Sequence, residues 1–233
     1  SADFLATLGM DFWKIPSGEI TNLPYLRHIA HLGGKVILST GMSELKEVED
    51  AVKVLESGGI GRENIWLLHC TTQYPTPYNA VNLRAMDQLN KIGCAGIGYS
   101  DHTQGITVPV AAVARGAMII EKHFTLDKSM PGPDHKASLE PAELAAMVTA
   151  IRETEHALGS DIKTVTAAER PNIAVARKSI VAARNISKGE KLSDENMTTK
   201  RPGTGLSPMS WDVVCGTKAI KDFEKDEPIV ISD

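Results

Sequence analysis

Five short apolar runs recur between helix-like segments through residue 158: Phe12–Pro16, Val36–Ser39, Ile65–Cys70, Gly96–Tyr99 and Ala117–His123. Each is too short for a helix and nearly continuous in apolar character, as strands buried on both faces should be. Their starts recur about every 20–30 residues, the spacing of consecutive βα units with right-handed crossovers. A doubly wound five-stranded sheet would accommodate this pattern, and so would part of a barrel. The chain opens mid-pattern, since Phe4, Leu5 and Leu8 followed by Gly9 read as the last turns of a helix. An eight-stranded barrel needs about 250 residues, and the five units here take roughly 150. The expected fold is therefore α/β, a TIM-type (β/α) barrel lacking its first ~three βα units.

The intervening segments carry helical signals. Leu45, Val48, Val52 and Leu55 form one apolar stripe, with Ser43 as the expected N-cap and Glu44 and Glu47 making the first turn acidic. Lys46 stands three residues after Ser43, so no strict capping box is expected there. Pro141 suits the first turn of a last long helix, whose stripe is Leu144, Met147, Val148, Ile151 and Leu158. From Gly159 to Asn172 the periodicity lapses. The expected division is a partial barrel over 1–160, a linker over 161–174 and a small domain over 175–233. In that last part, short runs at Ser179–Ala183, Val213–Cys215 and Ile229–Ile231 are punctuated by Gly189, Gly203, Gly205 and Gly216. This predicts a turn-rich β domain, marginal alone at about 60 residues.

Composition narrows the function classes. The 233 residues are 42% hydrophobic and 23% charged, with a net charge of −4. No stretch approaches the ~20 consecutive apolar residues of a membrane helix. Lys and Arg are scattered, leaving no electrostatic footprint for nucleic acid. No signal peptide is visible at the N-terminus. Cys70, Cys94 and Cys215 are odd in number and lack C-x-x-C pairing, which predicts reduced thiols and a cytoplasmic location.

The chemistry-bearing residues cluster at predicted strand ends, where parallel-sheet enzymes place their sites. His102 lies in Gly-Tyr-Ser-Asp-His-Thr (98–103) and His123 in Glu-Lys-His-Phe-Thr-Leu-Asp (121–127). On neighbouring strands the two imidazoles could hold one metal ion; alternatively one caps a turn and the other is satisfied in a core. Lys14, in Lys-Ile-Pro-Ser-Gly-Glu, either meets an anion inside a barrel or snorkels from a sheet edge. Ser39-Thr40-Gly41-Met42 can present N–H groups to phosphate or carboxylate, or simply cap a helix. In the loop after His69, Pro75 and Pro77 would hold Thr72 and Tyr74 in place. Asp134 could bind a sugar hydroxyl or make an Asx-turn.

These motifs resemble the bacterial sialic acid synthases over essentially the whole chain and in the family's order. Arg177-Lys178-Ser179, Lys188-Gly189-Glu190 and Lys200-Arg201-Pro202-Gly203-Thr204-Gly205 resemble that family's antifreeze-like SAF (β-clip) domain. The resemblance implies condensation of phosphoenolpyruvate with N-acetylmannosamine and water to give N-acetylneuraminate and phosphate. In that chemistry carbon 3 of phosphoenolpyruvate attacks the sugar carbonyl, water adds at carbon 2, and phosphate leaves by C–O cleavage. His102 and His123 would ligate a divalent ion, typically manganese. Lys14, Ser17, Ser39 and Ser100 would hold phosphoenolpyruvate, with Thr72 where some members carry Asn. Glu19, Tyr74 and Asp134 would contact the amino sugar, Glu19 orienting the acceptor or moving a proton. Arg201 would reach the other subunit's site in a domain-swapped homodimer. Family members begin with strands bearing an acidic residue and a second lysine, absent from this sequence, so the polypeptide alone is not expected to turn over. A synthase for legionaminic or pseudaminic acid, and a non-catalytic carbohydrate-binding module, are the alternative readings.

Overall fold

The computed structural model describes residues 1–231 and divides into two compact units, residues 1–159 and residues 160 onward. In the first unit α1 (Ala2–Ala6), β1 (Phe12–Ile15), α2 (Leu23–Leu32), β2 (Lys35–Ser39) and α3 (Leu45–Ser57) come first. They are followed by β3 (Ile65–Cys70), α4 (Met86–Asn90), β4 (Gly96–Asp101), α5 (Thr107–Ala114), β5 (Ile119–Lys122) and α6 (Pro141–Leu158). All five predicted strands form, and every neighbouring pair is parallel in the order β1-β2-β3-β4-β5.

That order has no reversal point, so the sheet is singly wound, which removes the doubly wound alternative. It is also curled. Lys14 on β1 and Glu121 on β5 form an ion pair at 3.3 Å, although four strand spacings of about 4.8 Å would separate them by about 19 Å in a flat sheet. The two side chains cannot span that distance unless the sheet bends toward them. The first unit is thus a half-barrel wall.

Alternation along the strands sorts the two faces. Ile15, Val36, Leu38, Ile65, Leu67, Ile97 and Tyr99 pack with Leu26, Ile29, Val48, Val52, Leu55 and Ala112 into one core between sheet and helices. Their neighbours in sequence, Lys14, Ile37, Trp66, Gly98 and Ser100, take the concave face. Gly98 is required there: a Cβ would stand 2.5 Å from the Ile119 carbonyl oxygen and 2.4 Å from Leu68 Cδ2.

Helix starts differ in detail from expectation. The N-cap of α3 is Glu44, whose backbone N–H donates to the Glu47 carboxylate at 2.8 Å. The Ser43 hydroxyl instead donates to the Gly41 carbonyl, so the start moves by one residue. Pro141 does open α6, which packs on α5, but its stripe is only partly used: Met147 is buried while Val148 and Leu158 are exposed.

In the second unit, α7 (Arg170–Ala176) occupies the end of the segment expected to be an irregular linker, with Pro171 in its first turn. β6 (Ser179–Ala182) and β7 (Met197–Lys200) pair antiparallel, and α8 spans Trp211–Val214. The strand expected at Val213–Cys215 is therefore wrong, since those residues end a short helix. Ile229–Ile231 is not a strand either, although the Ile229 N–H donates to the Ile180 carbonyl at 3.0 Å. A small core of Ile180, Ile186, Leu192, Met197, Val214, Phe223 and Ile229 holds the unit together. Among the described residues no helix is long and apolar enough to cross a membrane.

Candidate active site

The carboxyl ends of β1–β5 form a rim on which most of the predicted residues meet. Continuing the β4–β5 register beyond Asp101↔Lys122 brings His102 opposite His123. Their ring centroids lie 5.3 Å apart, and the Tyr74 ring packs against both, at 4.1 Å from His102 and 5.5 Å from His123. The His102 Nδ1–H donates to the Thr71 carbonyl at 2.6 Å, which fixes the tautomer and leaves Nε2 with its lone pair. Burial holds the His102 imidazole below its usual range, so the neutral, ligating form prevails at neutral pH. With the His123 ring facing it, this nitrogen suits a borderline divalent ion. No group of three or more His, Cys, Asp or Glu among the described residues is placed to hold a metal ion.

The lysine- and hydroxyl-bearing side of the rim is built from β1, β2, β4 and β5. Lys14 reaches the Glu121 carboxylate, and the Ser100 hydroxyl donates to the other oxygen of that carboxylate at 2.7 Å. Glu121 thus neutralises the lysine between strands, answering which anion a concave-face lysine meets. Ser17, buried at the end of β1, accepts the Gly41 N–H at 2.9 Å and lies 3.1 Å from Cys70 Sγ. Ser39 is 3% exposed, and among the described residues its hydroxyl is the one buried side-chain polar atom without a hydrogen-bond partner. An unpaired buried hydroxyl costs about 1–3 kcal/mol, so a partner for Ser39 would be stabilising.

The loop after β3 is pinned through Thr76. The Thr76 N–H donates to the His102 carbonyl at 2.8 Å and its hydroxyl to the Gln73 carbonyl at 2.6 Å, which seats Tyr74 over the imidazoles. Asp134 stands 4.0 Å from His123 Nδ1. One predicted residue of this unit, Glu19, is not drawn into this group. The Glu19 carboxylate accepts from Asn22 Nδ2 at 2.5 Å. Thr72 flanks Ser17 at the Gly41 turn, where a Cβ would stand 3.1 Å from Thr72 Cγ2 and 2.9 Å from Ser17 Oγ, and it lines a cavity of about 470 Å³ together with Thr40, Ser43, His69, Cys70 and Thr71. Arg201 belongs to the second unit, where its Nε–H donates to the Ala176 carbonyl at 2.9 Å.

Reading the sequence missed Glu121, Cys70, Asp101 and Lys122. The signal for the last pair was available: charged residues within apolar runs, at positions that alternation sends to the helix side, demand partners.

Comparison with known proteins gives this rim its context. The model of the NeuB family matches residues 1–163, and that of the SAF domain matches residues 177–233. An N,N′-diacetyllegionaminic acid synthase of Campylobacter jejuni is 55% identical over 98% of this chain and 69% of its own length. A protein of the same name from Legionella pneumophila is 46% identical over 94% of the chain and 62% of its own length. The crystal structure of an N-acetylneuraminic acid (sialic acid) synthetase from Leptospira borgpetersenii is 38% identical and superposes with a TM-score of 0.68. That match covers 74% of this chain and 59% of the other. The chain spans about two thirds of the length of the curated relatives it matches. With a family match over most of its length and a rim where the motif residues converge, this chain belongs to the NeuB family.

Proposed function

We propose that this chain carries the phosphoenolpyruvate and metal sites of a synthase that joins phosphoenolpyruvate to an N-acetylated amino sugar, giving a nonulosonic acid and phosphate. The observation that carries this reading is the convergence of Lys14, Ser17, the unpartnered Ser39 hydroxyl, Ser100 and two imidazoles on one rim. Lys14 and the hydroxyls hold the anionic ends of the enolpyruvate and so fix the angle from which carbon 3 approaches the sugar carbonyl. His102 and His123 would hold a divalent ion, manganese in this reading, which supplies Lewis-acid polarisation of that carbonyl when bound. Tyr74 shields both rings and Asp134 contacts the sugar. Glu19 turns from Asn22 toward the acceptor, and Thr72 stands at the edge of the enolpyruvate site. Arg201 serves the site of a second subunit in a domain-swapped homodimer.

The acceptor is the finer question. The names of the relatives at 55% and 46% identity favour a sugar bearing two acetamido groups over N-acetylmannosamine. N-acetylmannosamine is the second reading, supported by the 38%-identical sialic acid synthetase. Release of phosphate from phosphoenolpyruvate by the full-length protein, with each amino sugar in turn, tests both. Phosphate release that depends on an N-acetylated amino sugar is expected, and its absence with every such sugar refutes the reading.

A further inference from the structure

Beneath the two histidines lies an ion pair that the proposed reaction does not use. Asp101 and Lys122 are Cα partners in the last rung of the β4–β5 ladder, and each immediately precedes one of the histidines. Their side chains are 0% and 2% exposed, with Lys122 Nζ 2.6 Å from Asp101 Oδ2. The same carboxylate accepts the Thr103 N–H at 3.0 Å and the Thr103 hydroxyl at 3.1 Å. Lys122 also donates to the Thr103 carbonyl. Residues 101 and 103, on either side of His102, are thus bound through one ammonium group to the residue before His123.

We infer that Asp101 and Lys122 are positioning residues that set the separation of the two imidazoles. Two physical points carry this. First, Cα pairing of the ladder ends at Asp101↔Lys122 and the His102 carbonyl is bonded by the loop residue Thr76, whereas the Asp101–Lys122–Thr103 cluster ties the residues on both sides of His102 to the neighbouring strand. Second, a fully buried ion pair is seldom more stable than apolar residues of the same volume. Stability therefore does not explain why two charges sit in this core, whereas fixed geometry does. The carbonyls of His102 and His123 are held separately, by the N–H groups of Thr76 and Leu139, both at 2.8 Å. The ion pair adds the missing cross-link between the two strand ends.

The inference rests on the reading that His102 and His123 bind a metal, and its test separates the two. Mn²⁺ affinity is measured by electron paramagnetic resonance of the free ion for the wild-type full-length protein, His102→Ala and the double variant Asp101→Asn/Lys122→Met. The double variant removes both charges together and so avoids stranding one. The expected result is near-wild-type melting with Mn²⁺ bound roughly 10–100-fold more weakly, the usual consequence of losing outer support of a ligand. An altered visible spectrum of the Co²⁺-loaded variant should accompany it, a change that general loss of stability would not produce. Wild-type affinity in a folded double variant overturns the inference and leaves the proposed function standing. Equal binding by wild type and His102→Ala overturns both. If the double variant does not fold, Thr103→Val decides: it keeps both charges and removes one donor to Asp101. Binding about threefold weaker supports the inference and unchanged binding overturns it.

Discussion

Replacing Gly41 by alanine should disturb the lysine- and hydroxyl-bearing side of the rim without touching a charged residue. The new methyl would stand 2.9 Å from both Cys70 Sγ and Ser17 Oγ, and 3.1 Å from Thr72 Cγ2, whereas carbon contacts are optimal at about 3.5–4.0 Å. Two escapes exist. The wall can shift, at the usual overpacking cost of about 1–3 kcal/mol. Otherwise Ser17 rotates away, abandoning the Gly41 N–H at 2.9 Å and Cys70 at 3.1 Å, and a buried N–H left unpaired costs about 1–3 kcal/mol. One escape replaces the other, so the costs do not add, and a destabilisation of about 2 kcal/mol is expected. For a unit of about 150 residues that is a fall in Tm of roughly 4–8 °C. Gly18→Ala is the control, because a Cβ there meets nothing within 4 Å. It should stay within about 0.5 kcal/mol of wild type. Adding Cys70→Ala to Gly41→Ala removes one of the two closest contacts and should recover at least about 0.5 kcal/mol in a double-mutant cycle. Thermal and urea unfolding of Gly41→Ala, Gly18→Ala, Cys70→Ala and the Gly41→Ala/Cys70→Ala double variant supply the numbers. If Gly41→Ala melts together with Gly18→Ala, the packing argument at this turn is wrong.

Glu121→Gln removes the negative charge beside Lys14 while keeping an acceptor for Ser100. With the pair 30% and 42% exposed, its charge is heavily screened, so phosphoenolpyruvate or inorganic phosphate should bind only about three- to tenfold more tightly. Calorimetric titration reads this, and weaker binding would contradict the placement of the anion at Lys14. In the second unit, the Arg184 guanidinium, then Asn196 and the Ser187 N–H, hold Glu190 down to about 2. Because the folded value lies below the ordinary 4.5, this stabilisation is fully present above pH 4.5 and is lost as pH falls toward 2. Glu190→Gln should therefore flatten the acid limb of the stability curve over that window. An unchanged acid limb, followed by circular dichroism of the second unit's unfolding, would refute it. Tyr74→Ala removes the ring that packs on both imidazoles, whereas Tyr74→Phe keeps it. Only the alanine variant should weaken Mn²⁺ binding, measured by the same resonance titration, and equal loss in both would assign the effect to the hydroxyl.

Much of the half-barrel was legible because strands covered on both faces must be apolar throughout, and Ile65–Cys70 is read directly as β3. The curl of a barrel wall follows from the expected fold, whereas the contact that shows it, Lys14 with Glu121 across five strands, was not legible because it joins residues far apart in sequence. Val213–Cys215 misled for the opposite reason: three apolar residues do not distinguish two strand residues facing a core from one helical turn. At the site, motif residues on strand ends were found, while Glu121 was passed over because a charge near a strand end resembles a solvated one. Ser43 was read as a cap from residue type alone, yet its hydroxyl is taken by the Gly41 carbonyl, leaving Glu44 to begin α3. Glu19, bonded to Asn22, shows the limit of alignment in sequence: position on the right loop does not set the rotamer.

The most direct test of the whole account is an anomalous-scattering map from crystals of the full-length protein soaked with Mn²⁺ and phosphoenolpyruvate. The account predicts one manganese peak within bonding distance of both His102 and His123, with the enolpyruvate anion against Lys14 and Ser39. A peak that touches neither imidazole, or an anion bound away from Lys14, would contradict it.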